Sequence, residues 1–317
     1  MIVNHTHKFI FVHVPKAAGT SVSELFSQYS RYNDLEVGGT ELGEALQHAY
    51  KRRFGLTKHS TAAEIRDVVG ADTWGGYTSF AFVRDPYARA QSTFHFMKRW
   101  HGNKEMKRLN FMDDLADFRA FVLSDVFSSQ KAHRLLWPQA RWLQGPDGEL
   151  IVDEVGRLET IDTDLQRLLS GPLGLVSAEG AAQAAPKKNK SAATDAALIE
   201  LLSSDPEVEQ RIWDCWQDDF KVFGYPRFDR ERALAALAEL ADAPPAGSDA
   251  PALAPAPARA GKVAKAEKPG AAGKAGKAAK AAKAPAAAGG NDKPALGQAE
   301  KKAAKAARQA AKAARGQ

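Results

Sequence analysis

Two unbroken apolar runs, each stopping at a short turn that leads into a helix, constrain this chain more than any other feature. Lys8 to Val14 (KFIFVHV) is rich in β-branched and aromatic residues and halts at Pro15; Ser79 to Val83 (SFAFV) repeats the signature before Asp85-Pro86. Runs without polar alternation read as strands buried on both faces. After the first, Lys16-Ala17-Ala18-Gly19 is a small-residue turn, and Thr20 or Ser21 can cap a helix through Ser23, Leu25 and Phe26. After the second, Asp85 at the cap and Pro86 in the first turn start a helix through Ala88, Ser92 and Phe96. Strand, glycine-bearing loop and helix open an α/β nucleotide-binding fold.

The remaining pattern fills in around these units. It predicts a helix near Glu41 to Phe54, a short one from Thr61 to Val69, and an aromatic, helical stretch from Phe111 to Trp142. A strand over Leu150 to Val155 and a helix over Asp162 to Leu169 follow, then a polar loop over residues 177–197. Glu207 to Phe223 reads as one amphipathic helix, with Val208, Ile212, Cys215, Trp216 and Phe220 at helical spacing. One more helix can run to Ala241.

From Pro244 onward the chain is almost wholly Ala, Lys, Gly and Pro, and no aromatic residue follows Phe228. This tail holds 15 Lys and Arg against 4 Asp and Glu, so of the chain's net +6 the first 243 residues carry −5. The basic character belongs to the tail. With no apolar stripe to bury, the tail is expected to be disordered. The expected organisation is a folded domain over residues 1–230, a terminal helix or linker over 231–243, and a low-complexity tail over 244–317. The single cysteine, Cys215, excludes an internal disulfide and fits a reducing compartment. No leader is visible, and no stretch approaches the ~18–20 apolar residues of a membrane span. A cytoplasmic protein is expected.

The loop Val14-Pro15-Lys16-Ala17-Ala18-Gly19-Thr20-Ser21 suits an anion. Backbone N–H groups at a helix N-terminus point at it, Gly19 lets the backbone approach, and Thr20 and Ser21 add hydroxyls. Lys16 supplies positive charge where a bond to an anionic leaving group breaks. The pattern is not a Walker loop, because Lys16 precedes the only glycine and no acidic Mg²⁺ partner is evident. No metal is expected. Arg84 ends the second strand, and Ser92 lies about two turns into the next helix, offering a donor fork and a hydroxyl to a second phosphate. The plainer reading has Arg84 and Asp85 merely tying strand to helix, with Arg89 on a solvated face.

Together the two segments resemble the PAPS-dependent sulfotransferases, in the branch of carbohydrate sulfotransferases and bacterial relatives. PAPS is 3′-phosphoadenosine-5′-phosphosulfate, the sulfuryl donor. The resemblance implies a P-loop-like three-layer sandwich with a central, mainly parallel sheet. It assigns Lys16, Ala17, Ala18, Gly19, Thr20 and Ser21 to the 5′-phosphosulfate, and Arg84 and Ser92 to the 3′-phosphate. It extends over roughly residues 7–228 through Gln139 to Leu143, Gly156 to Ile161, Asn189-x-Ser191 and Asp219 to Tyr225. Asn189 and Ser191 are then candidates to close over the 3′-phosphate.

An attacking hydroxyl calls for a general base. His59, in a loop before a helix and between the two phosphate segments, matches a His-x-Thr-Ala element of the bacterial relatives. His95 is the alternative, and His13, inside a strand, reads as a core histidine. The expected reaction is in-line transfer to a hydroxyl of a carbohydrate or lipid-linked glycan. Two other functions stay open: a nucleotide kinase, and weak binding of nucleic acid or anionic surfaces through the basic tail.

Overall fold

The computed structural model describes residues 1–102, 109–176 and 192–235. The tail over 244–317, the predicted loop as far as residue 191, and the candidates Asn189 and Ser191 lie outside the described residues. In chain order the elements are β1 (Ile2–Asn4), β2 (Phe9–Val12), α1 (Gly19–Ser27), β3 (Leu35–Glu36), α2 (Glu41–Phe54), α3 (Ala62–Val69), α4 (Ala71–Gly75), β4 (Thr78–Val83) and α5 (Pro86–Trp100). Then come α6 (Phe118–Leu123), α7 (Asp125–Ser129), α8 (Ala140–Leu143), β5 (Glu154–Arg157), α9 (Ile161–Ser170), α10 (Ala192–Ser204), α11 (Pro206–Cys215) and α12 (Gln217–Phe223). Residues 230–235 are helical, where the terminal helix was expected to begin.

The strands lie in the order β3-β1-β2-β4-β5. Strands β2, β4 and β5 pair in parallel, and β1 is antiparallel to both β2 and β3, so it alone runs against the others. The apolar runs are continuous because alternate side chains enter two different cores. Phe9, Phe11, Phe80 and Phe82 pack with Val22 and Phe26 of α1 and Leu165 and Leu169 of α9. Ile10, Val12, Ala81 and Val83 face the other way, against Tyr87, Ala90 and Phe94 of α5 and Trp142 of α8. Helices therefore cover both faces of the sheet, giving the three-layer α/β sandwich.

Several elements differ from the sequence reading. The strand expected over Leu150 to Val155 begins at Glu154. The stretch from Phe111 to Trp142 is broken into α6, α7, a 3₁₀ turn at Arg134–Leu136, and α8. Ser124 is the reason for one break: it ends α6, and its hydroxyl accepts from Phe127 N–H to cap α7. The long C-terminal helix is two, split at Trp216, whose indole is fully buried and donates to Leu136 C=O at 2.8 Å. Burying that ring outweighs helical continuity. The last six residues of the predicted 177–197 loop begin α10.

Parallel pairing with Val12 opposite Ala81 sends the loops after β2 and β4 out of the same sheet edge, as neighbours. Gln139 fixes the second loop. Its side chain accepts from Arg84 N–H at 2.9 Å and donates to Arg84 C=O at 2.7 Å and to Asp219 at 3.3 Å. Gln139 and Asp219 are fully buried. Replacing Gln139 by Leu orphans both backbone groups of Arg84, at about 1–3 kcal/mol for each buried group left unsatisfied. Urea denaturation of Gln139→Leu is expected to show that loss as a lowered midpoint with an unchanged slope.

Candidate active site

The loop between β2 and α1 has an unusual backbone. Lys16 and Ala18, neither of them glycine, both adopt left-handed conformations, with φ of 66° and 61°. Each costs roughly 1–2 kcal/mol. Helix α1 starts at Gly19 with Ala18 as its N-cap and no side-chain cap. Thr20 and Ser21 thus do not cap the helix, contrary to the sequence reading. Their hydroxyls, with the first N–H groups of α1, are left for something outside the helix. Gly19 has a steric reason as well: a Cβ there would come within 2.0 Å of the His13 ring.

Lys16 lies at the centre of a cationic cluster. Its ammonium rests 4.5 Å from the centroid of Phe96 on α5. Burial, and then the positive charges of Arg84, Lys58, Arg89 and Arg99, pull its pKa down to about 8. Glu44 pairs with Lys58 at 3.0 Å and Asp219 opposes Arg89, while among the described residues the charges that shift Lys16 itself are all positive, an environment suited to an anion. Ser92, Phe96 and Arg99 are spaced to share one face of α5. Arg84 and Ser92 are both half-buried. The structure therefore brings Lys16 and Arg84 together, with Ser92 on the helix that follows Arg84.

The plainer reading put Arg89 on a solvated face; it is instead fully buried. Its guanidinium donates to the carbonyls of Pro15 (3.2 Å), Trp137 (3.0 Å) and Leu135 (3.4 Å) and lies 4.6 Å over Trp216. It anchors the first loop from below. Phe96, Arg99, Lys58 and Arg89 were all missed by sequence reasoning. The spacing of Ser92, Phe96 and Arg99 was the one available signal.

His59 lies between the loop and α8. Its Nδ1 is 2.9 Å from the His13 carbonyl, to which only an N–H can donate. That bond fixes the tautomer and leaves Nε2 as the acceptor. Burial pulls its pKa down to about 3, partly countered by the bond to His13 C=O, so the ring is neutral at pH 7. The His13 ring stands edge-on to it at 4.7 Å and is itself held neutral by burial. His95 is exposed on α5. Among the described residues no cluster of side chains could hold a metal ion.

A strained loop entering a helix, a lysine ringed by cations, and an arginine just past the neighbouring parallel strand thus meet at one edge of the sheet. The sulfotransferase family model matches residues 1–226. The chain belongs to the sulfotransferase family. Mouse carbohydrate sulfotransferase 12 is 23% identical over 265 residues, 72% of this chain and 60% of its own length. The chain thus spans about 60% of the curated relative it matches. No solved structure matches it significantly.

An anion held at this site would bind the protonated form of Lys16. Affinity is therefore fully present below the unliganded pKa of about 8 and declines as pH rises through it. Calorimetric titration with adenosine 3′,5′-bisphosphate between pH 6.5 and 9.5 is expected to show that decline. Lys16→Arg, charged throughout, is expected to flatten it.

Proposed function

We propose that the chain transfers a sulfuryl group from PAPS to a hydroxyl of a carbohydrate or glycan-type acceptor by in-line displacement. The observation that carries this reading is Lys16 on its strained loop, ringed by positive charge, with Arg84 just past the parallel neighbour strand. Lys16, Ala17, Ala18, Gly19, Thr20 and Ser21 would hold the phosphosulfate end, and Arg84 with Ser92 the 3′-phosphate. Asn189 and Ser191 would close over that phosphate. The saccharide class rests on family membership and on the likeness to a carbohydrate sulfotransferase.

Nε2 of His59 would take the proton as the acceptor oxygen forms its bond to sulfur. The bond from sulfur to the bridging oxygen breaks, and its electron pair leaves with the bisphosphate. Lys16 and the N–H groups of the α1 N-terminus lie where that negative charge grows. The Nδ1 bond to His13 C=O stabilises the imidazolium that results. No metal is required by this scheme.

The catalytic domain is proposed to be residues 1–230, working in the cytoplasm. Among the described residues no helix is long and apolar enough to cross a membrane. The tail over 244–317 is proposed as an accessory polyanion-binding segment, dispensable for transfer.

Transfer of labelled sulfate from PAPS to glycan extracts tests the assignment. His59→Ala is expected to lower turnover about 10²–10⁴-fold with bisphosphate affinity retained. Lys16→Ala is expected to lower both. Thermal protection by ATP-Mg²⁺ but not by the bisphosphate would overturn the reading in favour of a kinase.

A further inference from the structure

The ammonium of Lys16 rests against an uncharged group, the face of Phe96, 4.5 Å from the ring centroid. Among the described residues it makes no hydrogen bond and no ion pair. The charges that shift it are all positive: Arg84 after β4, Lys58 after α2, and Arg89 and Arg99 on α5. A cation on a flexible four-carbon stem would swing out to water from such surroundings. An aromatic face carries the negative part of the ring quadrupole and attracts a cation, most strongly where water is kept away. Lys16 and Phe96 are both half-buried.

Helix α5 holds that ring in place. Phe96 lies one turn beyond Ser92, and Trp100, a turn further on, leans against it with centroids 6.3 Å apart. Phe96 also packs on the apolar core beneath α5. At the other end of the lysine, the left-handed backbone at φ 66° sets where the side chain leaves the loop. Lys16 is thus fixed at both ends, by its backbone and by the ring.

The neutrality of the ring has a chemical consequence. A carboxylate in its place would claim the ammonium as an ion pair, which an arriving anion would have to break. A ring attracts the ammonium without neutralising it. The whole charge stays available to the bridging oxygen as negative charge grows there.

We propose that Phe96 is a positioning residue for the transfer, its face holding the Lys16 ammonium at the anion loop. This rests on the transfer reading above and names the group that orients its lysine. Because the charge that Lys16 meets develops as the bond breaks, Phe96 acts on turnover more than on donor binding.

NMR of the full chain labelled with carbon-13 at lysine Cε tests the contact, since protons above a ring face are shifted upfield. The Lys16 signal is identified by its loss in Lys16→Arg. It is expected upfield in the wild-type chain and in Phe96→Tyr, and at the ordinary lysine position in Phe96→Leu, which keeps apolar bulk without a ring. Transfer of labelled sulfate from PAPS to glycan extracts is expected to lose about tenfold in kcat in Phe96→Leu, with KM for PAPS within about twofold. Phe96→Tyr is expected to restore it. Without the ring the protonated form is less favoured, so the fall of bisphosphate affinity moves to lower pH in Phe96→Leu alone. An unshifted Lys16 signal in the wild-type chain overturns the proposal, and that reading needs no Phe96 variant to fold. So does a folded Phe96→Leu with wild-type turnover and pH profile. Bisphosphate titrated into the wild-type chain keeps the two readings apart. Its failure to bind strikes the donor assignment, whereas binding with an unshifted Lys16 signal strikes only Phe96.

Discussion

The buried guanidinium of Arg89 donates to the Pro15 carbonyl, and through that bond the loop after β2 is tied to the helix after β4. The same group collects the carbonyls of Leu135 and Trp137 and lies over Trp216, so four separated stretches of chain meet on one side chain. The Asp219 carboxylate supplies opposing charge, while its own burial pushes its pKa up to about 6. A charge in that position is tolerated only with its donors satisfied, and removing one member of such a set typically costs about 3–5 kcal/mol. The left-handed backbone at Lys16 and Ala18 persists because its surroundings over-determine it.

His13 continues the same logic on the other side of the loop. Its ring fills the space that a side chain at residue 19 would need, and its carbonyl receives the His59 N–H. One residue at the end of β2 therefore registers the candidate base against the candidate anion loop. Relative placement of these groups does not depend on a flexible connection.

The parts of the fold legible in the sequence were those with a single dominant pattern. Strands β2 and β4 declared themselves because burial on both faces leaves no polar alternation to confuse them. The Asp85-Pro86 start placed α5, and α3 was expected one residue early, from Thr61, which instead caps it in a capping box with Glu64. Strands β1 and β3, three and two residues long, are too short to carry a period. Trp216 split a helix through a tertiary hydrogen bond that no local window contains. Of the candidate site, Lys16, Arg84 and His59 could be placed because motifs mark them. Arg89 could not, since an arginine on a helix is by default exposed, and its acceptors lie 46 to 74 residues away.

The titration behaviour of the site has one common origin. His59 is pulled down by burial and the neighbouring Lys58 charge, and Lys16 by burial and four surrounding cations. Both are thus set in a pocket where the nearby charges lower their proton affinity, Glu44 offsetting this only in part at His59. An anion entering beside them reverses that field, and the proton affinity of each rises. For Lys16 this secures the ammonium that the anion itself requires. For His59 it moves an imidazole that is too weak a base in the empty pocket towards the range where proton transfer is efficient. In the proposed mechanism, binding of the anion and competence of the base would therefore be coupled through electrostatics.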